Sequence, residues 1–249
     1  GNKNVNINQE NKRNETPLHI ACDEGFIEIV ELILKQNPIL NKQNDFGYTE
    51  LLVACSRESN ENVVELLLKK GVDILAQNNN GDSALHIACD IGEEQIASLL
   101  IKYKADVNQK NSYCERPIHR ACSGGYEKVV DLLIRNQANV DVKNGFNDTP
   151  LHYTCWEGNE TILKVLLKET SNLNGKNKSE ETPLHKACSR ENVNQVKILI
   201  DHHVDVNVKD IRKRTPLHIA CKYGNLQITK MLIDAKVNVN VSDHNNLTP

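Results

Sequence analysis

Histidine and cysteine recur three residues apart at six places in this chain of 249 residues. The pairs are His19/Cys22, His86/Cys89, His119/Cys122, His152/Cys155, His185/Cys188 and His218/Cys221. Residues at i and i+3 share one face of a helix, so each pair could present two metal ligands or set an imidazole beside a thiol nucleophile.

The distribution of the pairs argues against both kinds of chemistry. A zinc site needs three or four convergent ligands, and these ligands come in separated pairs. A catalytic cysteine is one thiol in one pocket, whereas here the same pair is repeated six times. Phosphate-binding Gly-rich loops and the common hydrolase and metalloprotease motifs are also missing from the sequence. We therefore predict no catalytic residue, no metal and no cofactor, and interpret the pairs as architecture.

The elements that carry these pairs belong to a strict repeat. Seven cysteines are spaced 33 residues apart, with one interval of 34: Cys22, Cys55, Cys89, Cys122, Cys155, Cys188 and Cys221. The tetrapeptide Thr-Pro-Leu-His begins at Thr16, Thr149, Thr182 and Thr215, with weaker copies from Ser83 and Arg116. The copy from Thr49 lacks the proline and the histidine but keeps Ala54 and Cys55. A fixed period of this length indicates a repeat array.

These motifs resemble the ankyrin repeat family over the whole chain. The resemblance implies an all-α repeat solenoid in which each repeat is a helix-turn-helix followed by a β-hairpin loop. We expect a single domain, residues 1–249, of about seven full repeats. They begin near residues 11, 44, 78, 111, 144, 177 and 210, and a truncated repeat follows from residue 243. The segment Val5–Ile7 resembles the tail of a preceding repeat, and the last repeat is truncated. We therefore expect the chain to be a segment of a longer array.

The resemblance also explains the histidine and the cysteine. In ankyrin proteins this histidine is a structural hydrogen-bonding residue near the capping threonine, and the cysteine fills a core position for a small residue. The first copy fits, since Thr16 is a good N-cap, Pro17 suits the first helical position and Gly25 permits a turn.

The family's usual glycine after the second helix is present only as Gly71. The other six positions hold Asn37, Lys104, Gln137, Thr170, His203 and Lys236. If these positions keep a positive φ, each residue other than asparagine costs roughly 1 kcal/mol. We expect Thr170 to be the worst, and the array to be weakest near the fifth repeat.

Composition excludes several other classes of protein. No stretch approaches the roughly 18 apolar residues expected of a membrane span. Equivalent cysteines in neighbouring repeats should lie about 8–10 Å apart, whereas a disulfide needs Cα atoms within about 7 Å. We therefore expect reduced thiols, which favour the cytoplasm and leave the nucleus possible.

Residues that the repeat does not require are the candidates for binding. The family binds other proteins through a concave groove lined by loop tips and the exposed ends of first helices. At those places the chain carries Phe46, Tyr48, Tyr113, Arg120, Phe146, Tyr153, Trp156, Lys186, Arg190, Arg212, Lys213 and Tyr223. Trp, Tyr and Arg dominate binding hot spots, so Trp156 beside Arg190 is the strongest candidate. Local packing between repeats is the alternative for Phe146 and Tyr153.

A basic cluster in the last complete repeat raises the question of nucleic acid. It comprises Lys209, Arg212, Lys213, Arg214 and Lys222, while the net charge of the chain is −3. Because no basic stripe runs along the chain, nucleic-acid binding is the weaker hypothesis. An acidic partner segment, or a solvated hairpin, fits the cluster better.

The leading hypothesis is a monomeric, non-catalytic protein-interaction scaffold that binds a protein or peptide of unknown identity. The alternative is a regulatory or targeting domain of a larger enzyme or channel, whose activity would lie elsewhere. The fold implies binding but does not name the partner.

Overall fold

A computed structural model describes residues 6–249 of the chain, so the expectation for Val5 lies outside the described residues. Within them fourteen helices follow one another in seven pairs. They are α1 (Pro17–Glu24), α2 (Ile27–Leu34), α3 (Glu50–Cys55), α4 (Glu61–Lys69), α5 (Ala84–Ile91), α6 (Glu94–Lys102), α7 (Pro117–Gly124), α8 (Glu127–Arg135), α9 (Pro150–Glu157), α10 (Glu160–Glu169), α11 (Pro183–Ser189), α12 (Val193–Asp201), α13 (Pro216–Tyr223) and α14 (Leu226–Asp234). None of these helices has the length and apolar content needed to cross a membrane.

The chain divides into two compact units. The N-terminal unit comprises Gly1–Ala121 and Arg135–Ala138, and the C-terminal unit comprises Cys122–Ile134 and Asn139–Pro249. In the first, α1 packs on α3 and α3 on α5, while α2 packs on α4 and α4 on α6. The second repeats this pattern with α9, α11 and α13 and with α10, α12 and α14. Within each unit, this packing of helix pairs on their sequential neighbours confirms the all-α repeat solenoid class.

Each first helix begins in the way that its sequence predicts. Thr16 is the N-cap of α1, its hydroxyl oxygen accepts the His19 backbone N–H, and Pro17 takes the first position. Gly25 ends the helix in the left-handed region at φ 72°, where a side chain would be strained. Local chemistry alone therefore sets the length of the short helix.

The loops between repeats, which we call tips, differ from the expected hairpins. Among the described residues there are no β-strands, and one isolated bridge joins Gln77 and Ser83. An asparagine or aspartate begins each tip, and its side-chain oxygen accepts backbone N–H groups of that tip. In the fifth repeat the Asn144 side-chain oxygen accepts N–H groups from Phe146 and Asp148, at 2.8 and 2.9 Å. A tip closed by a side chain has fewer backbone groups left for a strand ladder.

The histidines join successive repeats. In α11 the Nδ1 atom of His185 accepts the Thr182 backbone N–H at 3.1 Å, so the ring proton lies on Nε2. Nε2–H then donates to the Arg214 carbonyl in the next tip, at 3.1 Å. The same two contacts are made by His19, His86, His152 and His218. These imidazoles are hydrogen-bonded structural groups, as the resemblance implied.

We predicted that every in-register cysteine fills a core position. This is confirmed for six of the seven and is wrong for the seventh. Cys22, Cys55, Cys89, Cys122, Cys155 and Cys188 are buried, but Cys221 is exposed. Within the described residues a further helix pair follows each buried cysteine, whereas no first helix comes after α13. Burial raises the pKa of the Cys122 thiol to about 12 and raises the pKa of Cys155 further, so both stay protonated and unreactive at neutral pH.

Five of the six non-glycine positions after the second helix do have positive φ. They are Asn37, Lys104, Gln137, His203 and Lys236. The prediction for Thr170 is wrong, because this residue is extended at φ −83° and ψ 140°. Its hydroxyl donates to Asp141, whose other oxygen accepts the Ser171 backbone N–H at 3.1 Å. These hydrogen bonds outweigh the partial burial of Asp141 and lower the pKa of its carboxyl. The chain thus avoids a strained positive φ at Thr170, because it leaves α10 in an extended conformation.

Two glycine substitutions should therefore have opposite effects. His203→Gly should raise the free energy of unfolding by about 1 kcal/mol, because the exposed His203 holds φ at 58°. Thr170→Gly should lower it by about 1 kcal/mol, because it removes a hydrogen bond and relieves no strain. Urea unfolding of both variants measures this, and stabilisation by Thr170→Gly would contradict the assignment.

The neutral histidines predict a pH dependence of stability. Burial lowers the pKa of His86, His152 and His185 below 6.5, the ordinary value. The unfolded chain then binds more protons below pH 6.5, so stability falls as the pH is lowered, by up to about 1.4 kcal/mol per group and pH unit.

Urea midpoints at pH 7.5 and 5.5 test this dependence, and an equal or higher midpoint at pH 5.5 would refute it. His185→Gln should be less stable at pH 7.5 but less sensitive to pH. The control His202→Gln alters an exposed ring and should keep the native sensitivity.

Candidate functional site

Trp156 lies at the exposed end of α9, with 40% of its surface accessible. The guanidinium carbon of Arg190 is 4.6 Å from the centroid of its ring, and the Lys186 Nζ atom is 5.5 Å away. Arg190 is also held by its Nε–H, which donates to the Trp156 carbonyl at 3.3 Å. The two Nη groups of Arg190 have no acceptor within the described residues. Stacking and one backbone bond therefore fix the guanidinium with its two outer donors available.

Tyr153 and Lys186 connect this region to the tips. The Tyr153 hydroxyl oxygen accepts the Asn144 side-chain N–H at 3.0 Å, so the phenol is anchored locally. Lys186 forms a 2.8 Å ion pair with Glu181. Partial burial of Glu181 opposes its ionisation, but the hydrogen bond and charge of Lys186 outweigh burial and lower the pKa of the carboxyl. We call Tyr153, Trp156, Lys186 and Arg190 the Trp156 cluster.

An open pocket of about 350 Å³ adjoins the Trp156 cluster. Its lining consists of Ser123, Asp148, His152, Tyr153, Trp156, Glu157 and Lys186, all in the C-terminal unit. His152 is already bonded to Thr149 and to the Glu181 carbonyl, so it contributes surface rather than a free base. The pocket can accept a side chain of a partner.

The tips of the C-terminal unit are joined to one another by backbone hydrogen bonds. The Lys178 N–H donates to the Phe146 carbonyl at 2.8 Å, and the Ile211 N–H donates to the Ser179 carbonyl at 2.9 Å. The aromatic ring of Phe146 is 64% exposed, and Ile211 is 56% exposed. These bonds place exposed apolar and basic side chains on adjacent, fixed tips.

Arg120 is a candidate whose guanidinium is paired with carboxylates of its own unit. It lies in the N-terminal unit, half-buried, 3.0 Å from Glu115, 3.6 Å from Asp82 and 3.4 Å from Asp90. Burial opposes its charge, but the three carboxylates raise the pKa of Arg120 above its ordinary value. A guanidinium with three acidic partners has little left to offer a ligand.

The remaining candidates fall into two groups. Phe46, Tyr48 and Tyr113 belong to the N-terminal unit, where Phe46 and Tyr113 are exposed and Tyr48 is half-buried. Phe46 and Tyr48 help to line a second pocket of about 350 Å³.

Arg212, Lys213 and Tyr223 belong to the C-terminal unit and are exposed. The Lys222 ammonium lies 5.5 Å from the ring of Tyr223.

Sequence reasoning missed two features of this surface. One is Lys178, an exposed cation bonded through its backbone to the Phe146 tip. The other is the residue that opens each tip: Asn11, Asn44, Asn78, Asn111, Asn144, Asn177, Asp210 and Asp243. Their spacing, equal to that of the cysteines to within a residue, was a signal available in the sequence.

Comparison with protein families identifies the class of protein. The family model described as ankyrin repeats, in three copies, matches residues 2–78, 39–111, 60–144, 110–177 and 151–243. The chain therefore belongs to the ankyrin repeat family, whose members are generally protein–protein interaction modules. A comparison with curated proteins found no match.

The contact between Arg190 and Trp156 can be tested with the only tryptophan of the chain. Arg190→Ala should uncover the ring, increase acrylamide quenching of its fluorescence and lower the free energy of unfolding by about 0.5–1 kcal/mol. Lys197→Ala is the control, since Lys197 is exposed on α12. Unchanged quenching in Arg190→Ala would show that the guanidinium does not cover Trp156.

Proposed function

We propose that the chain is a non-catalytic interaction module that binds a partner protein or peptide through the Trp156 cluster and the adjoining tips. The observation that carries the proposal is Arg190, held on the Trp156 ring with two unused donors beside an open pocket. Trp, Tyr and Arg are enriched in binding hot spots because they bury large areas and still offer polar contacts. Anchored side chains also lose little conformational entropy on binding.

The chemistry of the repeat supports an interaction role over catalysis. The His152 ring is bonded at both nitrogens, and burial raises the pKa of its neighbour Cys155. We propose the cytoplasm or the nucleus as the compartment, because the eight cysteines of the described chain are free thiols. We also propose that the module is monomeric.

A quantitative pull-down tests the proposal with Trp156→Ala/Arg190→Glu as the binding variant. A partner captured by the native chain should bind this variant at least about thirtyfold more weakly, since hot-spot residues contribute 2 kcal/mol or more. The matched control is Leu226→Ala/Lys230→Glu, which removes an exposed apolar residue and an exposed cation from α14. Circular dichroism and thermal melting must show that both variants are folded.

The outcomes separate the sites. Partners lost only with the first variant support the Trp156 cluster. Partners lost equally with both variants, or with neither, would show that the cluster is not the binding surface.

A further inference from the structure

Positive charge is unbalanced on one surface of the C-terminal unit. Lys178, Arg190, Arg212, Lys213 and Lys222 are all exposed there, on the tips and on the ends of α11 and α13. Within the described residues none of the five forms an ion pair with an acidic side chain. This surface therefore offers several cations whose charge is not already satisfied.

Three carboxylates of the same surface are neutralised by cations. Glu180 pairs with Lys176 at 3.0 Å, and Asp210 pairs with Arg214 at 2.6 Å. Glu181 pairs with Lys186. Four carboxylates without an ion pair among the described residues oppose the five cations: Asp148 and Glu157 at the pocket, Glu191 beside Arg190, and Asp243 in the last tip. The unpaired groups on this surface therefore leave an excess of one positive charge.

Arg190 has the geometry of a carboxylate receptor. Its Nε–H is used by the Trp156 carbonyl and its plane lies over the Trp156 ring, so the guanidinium is held in one orientation. The two outer nitrogens have no acceptor within the described residues. A planar pair of N–H donors matches the two oxygens of a carboxylate, and such a bidentate bond is stronger than a neutral hydrogen bond.

The repeat itself does not require this charge. Immediately after the in-register cysteine the N-terminal unit carries Asp23 and Asp90, whereas the C-terminal unit carries Trp156 and Lys222. In the N-terminal unit Arg57 is also paired, with Glu24 at 3.2 Å. The basic surface is thus a property of one unit, not of the fold.

We propose that the partner of the C-terminal unit is an acidic peptide segment with interspersed apolar residues. This inference rests on the proposed function and specifies its ligand. Carboxylates of the segment pair with Arg190, Lys178 and the Arg212/Lys213 tip, and its apolar side chains contact Phe146 and Ile211. At the Trp156 cluster a nucleic acid fits less well, because stacking of bases needs an open aromatic face and Arg190 lies over the Trp156 ring.

The test uses the full chain and a fluorescein-labelled peptide that repeats Glu-Glu-Leu. Matched peptides replace every Glu by Gln or by Lys, and a single-stranded thymidine oligonucleotide represents nucleic acid. Fluorescence anisotropy measures affinity, and Trp156 emission with the unlabelled peptide reports whether the cluster is occupied. We expect binding of the Glu peptide that weakens as salt is raised, a shift in Trp156 emission, and no binding of the Lys peptide.

Charge-matched variants locate the contact. Arg190→Gln and Arg212→Gln/Lys213→Gln should each weaken binding of the Glu peptide by at least about tenfold. Lys197→Gln/Lys230→Gln removes two exposed cations from the second helices α12 and α14, outside the tips, and should change the affinity less than about twofold, since salt screens exposed charges that do not touch the peptide.

Each remaining outcome overturns the inference in a distinct way. Equal losses in all variants would show that binding follows net charge. Tighter binding of the oligonucleotide would assign the surface to nucleic acid. Equal binding of the Gln peptide with a shift in Trp156 emission would leave the proposed function intact but remove the acidic partner. No binding of any peptide up to about 1 mM would overturn the acidic assignment, and the pull-down would then decide the proposed function separately.

Discussion

A neutral, buried imidazole is the constraint on which the rest of the repeat depends wherever this histidine is present. Its Nδ1 atom accepts a backbone N–H at the start of the first helix, as in the 3.1 Å bond from Thr182 to His185. This fixes the ring proton on Nε2, which must then find an acceptor, and the next tip supplies a carbonyl at 3.1 Å. One side chain therefore sets both the start of a helix and the position of the following tip. The cations Arg212 and Lys213 lie in the tip whose Arg214 carbonyl accepts this bond, so they take their position from it.

The second repeat shows what happens when this histidine is missing. Leu52 occupies its position, and the Thr49 hydroxyl oxygen accepts the Leu52 backbone N–H at 3.4 Å. Glu50 stands in place of the proline, is almost completely buried, and accepts the Asn41 N–H at 2.7 Å through one oxygen. The Glu50 carboxylate thus links the start of α3 to the preceding segment through a hydrogen bond, in place of the one that the histidine would make. The other Glu50 oxygen is buried without a hydrogen-bond partner among the described residues, so the carboxylate replaces the histidine only in part.

Periodic features of the molecule could be predicted from the sequence, and its local exceptions could not. The cap at Thr16, the turn at Gly25 and the buried cysteines follow from residue types that recur at a fixed spacing. Thr170 departs because Asp141, in a neighbouring repeat, offers its hydroxyl an acceptor. Cys221 departs because its exposure depends on what covers α13. Both outcomes are set by three-dimensional neighbours, which a one-dimensional period does not contain.

Two arginines that the sequence offers as binding candidates differ in their intramolecular partners. Arg120 lies within α7, and Arg190 caps the end of α11. Arg120 has three carboxylates within 3.6 Å, so its charge is neutralised inside its own unit. Arg190 is bound only by a carbonyl and a ring face, contacts that orient the guanidinium without neutralising it. Residue type therefore indicates where binding is possible, whereas the intramolecular partners decide which cation can act on another molecule. Because the histidines fix the tips, a substitution that alters the intramolecular partners of a cation changes which ligand the cation can bind, while the fold stays the same.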